Sequence, residues 1–203
     1  MENKSITFGE KIISHSKYWQ RFFQDQIRFI NTFSNYFQII FKLFKMDFPI
    51  VIKVKNSGKI KIKTYNTAYF ISNISNRKNI KYDIDKDLVI ILDTNTNKKI
   101  KFYGGINNGD LIHCFLNSDY SNLKFKEKYV LDIGMNIGDS SIYFIINGAK
   151  KVIGVEPFFK NFDIAYKNIV ENNFKDKIEI VQAGCGIKSG KIKINNDEGV
   201  EGN

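Results

Sequence analysis

The stretch YVLDIGMNIGDSSIYF, residues 129–144, constrains the fold more than any other part of this chain. Its first half is an unbroken apolar run, the pattern of a strand buried on both faces. Its second half, carried on through SSIYFIINGAK, predicts a short helix ended by Gly148. Between them lies a turn with Gly134 and Gly138 around Asn136. Downstream, KVIGVEP predicts a second buried strand. FFKNFDIAYKNIVENN predicts a second helix, with Phe162, Ala165, Tyr166, Ile169 and Val170 on one side. DKIEIVQAGCG supplies a third strand. A β-α-β-α-β order implies a parallel sheet with right-handed crossovers.

Open parallel sheets bind ligands beyond the carboxyl ends of their strands, where this turn falls. Glycine lets a ligand approach backbone without meeting a Cβ. A dinucleotide turn carries glycines at positions one, three and six; here they fall at one and five, and position six is Asp139. That carboxylate suits a cationic ligand better than a pyrophosphate, with Asp132 nearby. Asn136 also reads as a turn residue that tolerates left-handed angles, and Asp139 and Ser140 are expected to cap the helix. Glu156 ends the second strand, where an acid can accept hydrogen bonds from a ribose. Pro157 and Phe158 offer an apolar edge to a purine, and Gln182 and Ala183 follow the third strand.

VLDIGMNIGDSSIYF, GAKKVIGVEPFFKNFDIAYKNI and KIEIVQAGCG resemble the S-adenosylmethionine-dependent methyltransferases of the FkbM type. FYGGINNGDLIHCFLNSDYSNL is similar to the lead-in of archaeal members, so the resemblance covers residues 100–190. It implies an α/β fold: the Rossmann-like class I methyltransferase core, partial, with its first three strands. It also implies S-adenosylmethionine as cofactor. By the same resemblance Asp132, Gly134 and Gly138 would hold its methionine part, with Asn136 beside them and Glu156 on the ribose. Pro157, Phe158 and Ala183 would neighbour the adenine. The activity implied is O-methylation of a small-molecule or sugar hydroxyl, by in-line displacement at the sulfonium methyl. No residue is assigned as the base, and no metal is expected. Such a sheet has seven strands. With KIKIN as an added edge strand, the expectation is a fragment, a sheet completed by another chain, or a degenerate product. The second reading is a non-catalytic binding or assembly module with a vestigial nucleotide fold.

Three regions are expected: 1–48 helical, 49–128 rich in hairpins, and 129–203 the N-terminal half of the methyltransferase domain. In the first, Trp19, Phe22, Phe23, Ile27, Ile30, Phe33, Phe37, Ile40, Phe41 and Phe44 recur at helical spacing. Phe48-Pro49 stops the helix. This face is expected to pack on its own domain or on a second copy, with an in-plane membrane helix as the alternative. PIVIKVKNSGKIKIKTY and DLVIILDTNTNKKIKFYGG read as hairpins. NNGDLIHCFLNSDY reads as a short helix capped by Asp110, with Phe115, Tyr120 and Leu123 packing onward. The lone His113 and His15 read as structural.

With 43% hydrophobic and 26% charged residues, the chain is globular. No apolar run approaches the roughly 20 residues of a membrane span. No secretory signal is visible, so the expected location is cytoplasmic. Cys114 and Cys185 fit no metal spacing and read as buried, reduced thiols. The net charge of +10 is carried by lysines spread through most segments, so nucleic acid is not the expected partner.

Overall fold

The computed structural model describes residues 8–44, 49–55, 58–62, 64–83, 85–93, 97–105, 111–117 and 119–191. It divides into two compact units, Met1–Asn76 and Arg77–Asn203. The division differs from boundaries after 48 and 128. The first hairpin shares the N-terminal unit with the helices, and the second hairpin shares the C-terminal unit with the parallel sheet.

In the first unit, α1 (Phe8–Thr32) and α2 (Tyr36–Phe44) stand where one helix was expected. The break at Phe33–Asn35 has a cause in the neighbouring strand β1 (Ile50–Val54), which pairs antiparallel with β2 (Gly58–Ile62). Phe33 bridges Val54. The Asn35 side chain donates to Val51 O at 2.9 Å and accepts from Lys53 N at 2.8 Å. These bonds replace helical ones and turn the chain back. Burial divides the expected face: Phe33 is interior, together with Phe29 and Ile39 from outside that face, whereas Trp19, Phe22, Phe23, Ile27, Ile30, Phe37 and Phe41 are exposed. The hairpin alternates as expected, burying Ile50, Ile52, Val54 and Ile62. A further helix, α3 (Tyr65–Ile74), was not anticipated; Thr64 caps it by accepting from Thr67 N. The hairpin residues Asn56 and Ser57, the stop at Phe48, the His15 side chain and the cap Asp110 lie outside the described residues.

The second unit begins with an antiparallel sheet of β3 (Ile80–Asp83), β4 (Leu88–Asp93) and β5 (Lys98–Tyr103). The β4–β5 hairpin is the expected one, and β3 is an addition. Asp87, at the β3–β4 turn, holds a left-handed φ of 46°. Its Oδ1 is buried without a hydrogen bond, and burial raises its pKa. The folded state therefore binds the Asp87 proton more tightly than the unfolded chain, which costs stability above the folded pKa and is relieved as pH falls through it. Asp87→Asn keeps a side chain tolerant of this φ and removes the charge. It is expected to raise stability near pH 7 by about 1 kcal/mol. The gain should shrink in chemical denaturation repeated at lower pH.

A π-helical turn at Ile112–Leu116 occupies the predicted short helix. Phe115 and Tyr120 pack through ring contacts with Tyr143, Phe102 and Phe144, as expected. Leu123 is exposed instead.

The parallel sheet follows: β6 (Tyr129–Ile133), α4 (Asp139–Ile146), β7 (Lys151–Val155), α5 (Phe159–Glu171) and β8 (Ile178–Val181), in strand order β6-β7-β8. Right-handed crossovers stepping in one direction put both helices on one face. Among the described residues nothing covers the other face, so Tyr129, Leu131, Ile133, Ile153 and Val181 are exposed where strands buried on both sides were expected. The α5 stripe is rotated as well. Asn161, Ala165, Asn168 and Ile169 are buried, while Tyr166 and Val170 are exposed. The reason is the edge of β5, whose backbone groups the asparagines satisfy. Asn168 accepts from Tyr103 N (2.8 Å) and donates to Tyr103 O (3.1 Å); Asn172 accepts from Lys101 N (2.9 Å) and donates to Lys101 O (2.7 Å). Cys114 is buried, but Cys185 is exposed, because residues 182–191 run along the surface after β8. Residues 192–203, including most of KIKIN, lie outside the description.

Candidate functional site

Parallel pairing aligns Ile133, Val155 and Val181 across the sheet. Gly134, Glu156 and Gln182 therefore emerge side by side at its carboxyl edge. Backbone bonds stitch the edge together: Gly134 N and Met135 N donate to Val155 O at 2.8 and 3.1 Å, and Glu156 N donates to Val181 O at 3.1 Å. Met135 and Ile137 are fully buried and anchor the turn from beneath.

The two turn glycines do different work. Gly138 has φ 81°, and a Cβ there would lie 3.3 Å from Ala165 Cβ, so it permits close packing of the α4 start on α5. Gly134 has φ 78°, and a Cβ there would meet nothing within 4 Å. It opens onto space at the strand end. Gly138→Ala is expected to cost about 1–3 kcal/mol through both φ and overpacking, and Gly134→Ala about 1–2 kcal/mol through φ alone. Thermal unfolding of the two variants checks the order. Asn136 has φ 49°, as a turn asparagine should.

Glu156 is not an open strand-end acid; it is 3% exposed. Its Oε2 accepts from Asn136 N at 3.0 Å, and its Oε1 accepts from Phe158 N at 3.0 Å and Asn161 Nδ2 at 3.4 Å. One carboxylate thus clamps the glycine turn to the start of α5. Asn161 escaped the sequence reading. Its Oδ1 is buried and accepts no hydrogen bond, an unmatched acceptor beside the acid. An amide in the first turn after a strand-end Glu-Pro was the available signal, but asparagine is common in this chain and did not stand out.

Asp132 Oδ2 accepts from Ser140 Oγ (2.7 Å) and Ser141 Oγ (2.6 Å), tying the end of β6 to α4. The expected caps are therefore absent. Gly138 occupies the cap position with no side chain to offer, Ser140 turns to Asp132, and Asp139 is buried, accepting from Cys114 Sγ at 3.5 Å. A buried carboxylate in the first helical turn still faces the positive end of the helix dipole. Pro157 and Phe158 are half-buried beside the Glu156 clamp, and Ala183 is exposed after β8. A Cβ on Gly184 would lie 3.7 Å from Pro157, so the segment after β8 runs along Pro157.

Elsewhere in this unit, exposed His113 pairs with Asp119 through Nδ1 at 2.8 Å. Burial, then the neighbouring Cys114, raises the Tyr143 pKa. Among the described residues no group of three or more His, Cys, Asp or Glu could hold a metal ion. No helix among them is long and apolar enough to cross a membrane.

No family model matches the chain. It is 44% identical over 62 residues to uncharacterized protein 158B of Sulfolobus islandicus rod-shaped virus 1, a match covering 30% of this chain and 39% of that protein. Among solved structures, it is similar to the Trypanosoma brucei PRMT1 enzyme-prozyme complex with AdoHcy (40% identity, TM-score 0.27), covering 29% of this chain and 18% of that one. It is also similar to a putative RNA methyltransferase from Pyrococcus horikoshii (28% identity, TM-score 0.29; 37% and 36% covered). A third is a putative S-adenosylmethionine dependent methyltransferase from Listeria monocytogenes (24% identity, TM-score 0.30; 36% and 32% covered). The chain spans well under two thirds of each of these proteins.

Proposed function

We propose that the carboxyl edge of the parallel sheet binds S-adenosylmethionine, and that the protein methylates a hydroxyl of a small molecule or glycan. The observation that carries this reading is the open space at Gly134 beside a buried acid that reaches the same turn. The residues fit a nucleoside. The glycine position leaves room for it, and the unmatched Asn161 Oδ1 and the second lone pair of Glu156 Oε2 can accept from ribose hydroxyls. Asp132 and Gly134 would flank the amino-acid end, with Asn136 and Gly138 shaping the turn. Pro157, Phe158 and Ala183 would border the base. When bound, the cofactor supplies a methyl group activated by a sulfonium. The chain's part is to hold donor and acceptor in line, worth up to about 7–11 kcal/mol of the barrier.

Calorimetry with S-adenosylhomocysteine tests the site. Binding that Gly134→Ala weakens at least severalfold is the expected result. An absence of binding at millimolar ligand would leave the second reading, a binding or assembly module with a vestigial fold. The apolar face that the described residues leave exposed on β6–β8 would give that reading its surface for assembly.

A further inference from the structure

We propose that the N-terminal unit is a docking surface for an anionic lipid bilayer, with α1 and α2 lying in the interface plane. The first observation is the exposed apolar surface. Phe23 is 59% exposed, Ile27 60%, Phe37 84% and Phe41 61%, with Trp19, Phe22 and Ile30 alongside them. On α1 these positions fall at steps of three and four and form one stripe. Tyr36 Oη donates to Gln26 Oε1 at 3.0 Å, which sets the start of α2 against that stripe. Apolar surface of this extent is more than scattered exposure explains.

The second observation is charge. Residues 1–76 hold 12 Lys and Arg against 4 Asp and Glu, so this unit carries +8 of the chain's +10. Among the described residues, several of the basic groups adjoin the apolar ones. Val51 pairs with Lys61, and Lys53 with Lys59, on the exposed side of the hairpin. Val51 and Lys42 line a groove of about 450 Å³ with Phe41. Lys55 Nζ reaches Ile30 O at 2.8 Å.

Charge complementarity selects the occupant. A second copy would bring another strongly positive unit against the first, which repels. An anionic bilayer attracts the lysines and takes up the aromatic stripe, the combination that holds amphipathic helices at interfaces. Nucleic acid would satisfy the lysines but leave Ile27, Ile30, Phe37 and Phe41 in water.

Trp19 is the chain's one tryptophan, so its emission reports the stripe directly. Vesicles of phosphatidylcholine with a quarter phosphatidylglycerol should shift it to the blue and carry the protein with them in flotation. Pure phosphatidylcholine should do so at least about tenfold more weakly. Phe23→Glu with Phe37→Glu, both at exposed positions, should abolish flotation while leaving thermal unfolding unchanged. Lys53→Glu with Lys59→Glu should lower binding to the anionic vesicles about tenfold or more. An emission spectrum unmoved by anionic vesicles overturns the proposal. So does a concentration-dependent blue shift without lipid, which would mark a second copy as the occupant, or emission that responds to RNA and not to vesicles.

Discussion

Asn168→Leu is expected to destabilise the C-terminal unit by about 3–5 kcal/mol. The amide is fully buried and makes three hydrogen bonds: it accepts from Tyr103 N, and it donates to Tyr103 O and to Ile137 O at 2.9 Å. Leucine has a similar volume, so packing is nearly conserved and the loss isolates the polar contacts. Three backbone groups would remain buried without partners, each costing about 1–3 kcal/mol and not additively. Two of the bonds end on the edge of β5 and the third on the glycine turn. The same substitution should therefore speed hydrogen exchange at the Tyr103 amide. Asn172→Leu should cost less, because that side chain is only half-buried. A loss under about 1 kcal/mol for Asn168→Leu, in urea unfolding followed by circular dichroism, would show that water replaces the amide.

Glu156→Gln has the second largest expected effect, and it separates architecture from ligand binding. The carboxylate accepts from Asn136 N, Phe158 N and Asn161 Nδ2, all donors. Glutamine must turn its own NH2 toward at least one of them, and the remaining bonds lose their charge assistance. Stability should fall by about 2–3 kcal/mol. This follows from the clamp alone, whatever the protein binds. Under the cofactor reading, affinity for S-adenosylhomocysteine should also fall at least about tenfold, measured below the unfolding transition. Reduced stability with undiminished affinity would remove Glu156 from the ligand site and leave it as the clamp of the turn.

Local patterns carried much of the design. The alternation of Ile and Lys specified the β1–β2 hairpin, and the apolar runs specified three parallel strands with two helices between them. Gly134, Glu156 and Ala183 could be assigned to one edge in advance, because parallel strands all present their carboxyl ends on the same side. Less legible were the asparagines. Asn35, Asn161, Asn168 and Asn172 look alike in the chain, and only the backbone each one meets distinguishes a helix breaker from a strand fastener.

The amino-acid order by itself determined element type, strand direction and the position of the glycine turn, because those depend on neighbours within a few residues. Tertiary structure decided which faces are covered. The aromatic stripe reads as core by periodicity, yet of its members Phe33 turns inward beside Phe29 and Ile39, while Trp19, Phe22, Phe23, Ile27 and Ile30 face solvent. It also decided that Glu156 is enclosed, since Asn136 N, twenty residues away in the chain, joins the nearby Phe158 N and Asn161 Nδ2 on the carboxylate only once the turn has closed on α5. Periodicity records that a face is apolar, and only packing determines what, if anything, lies against it.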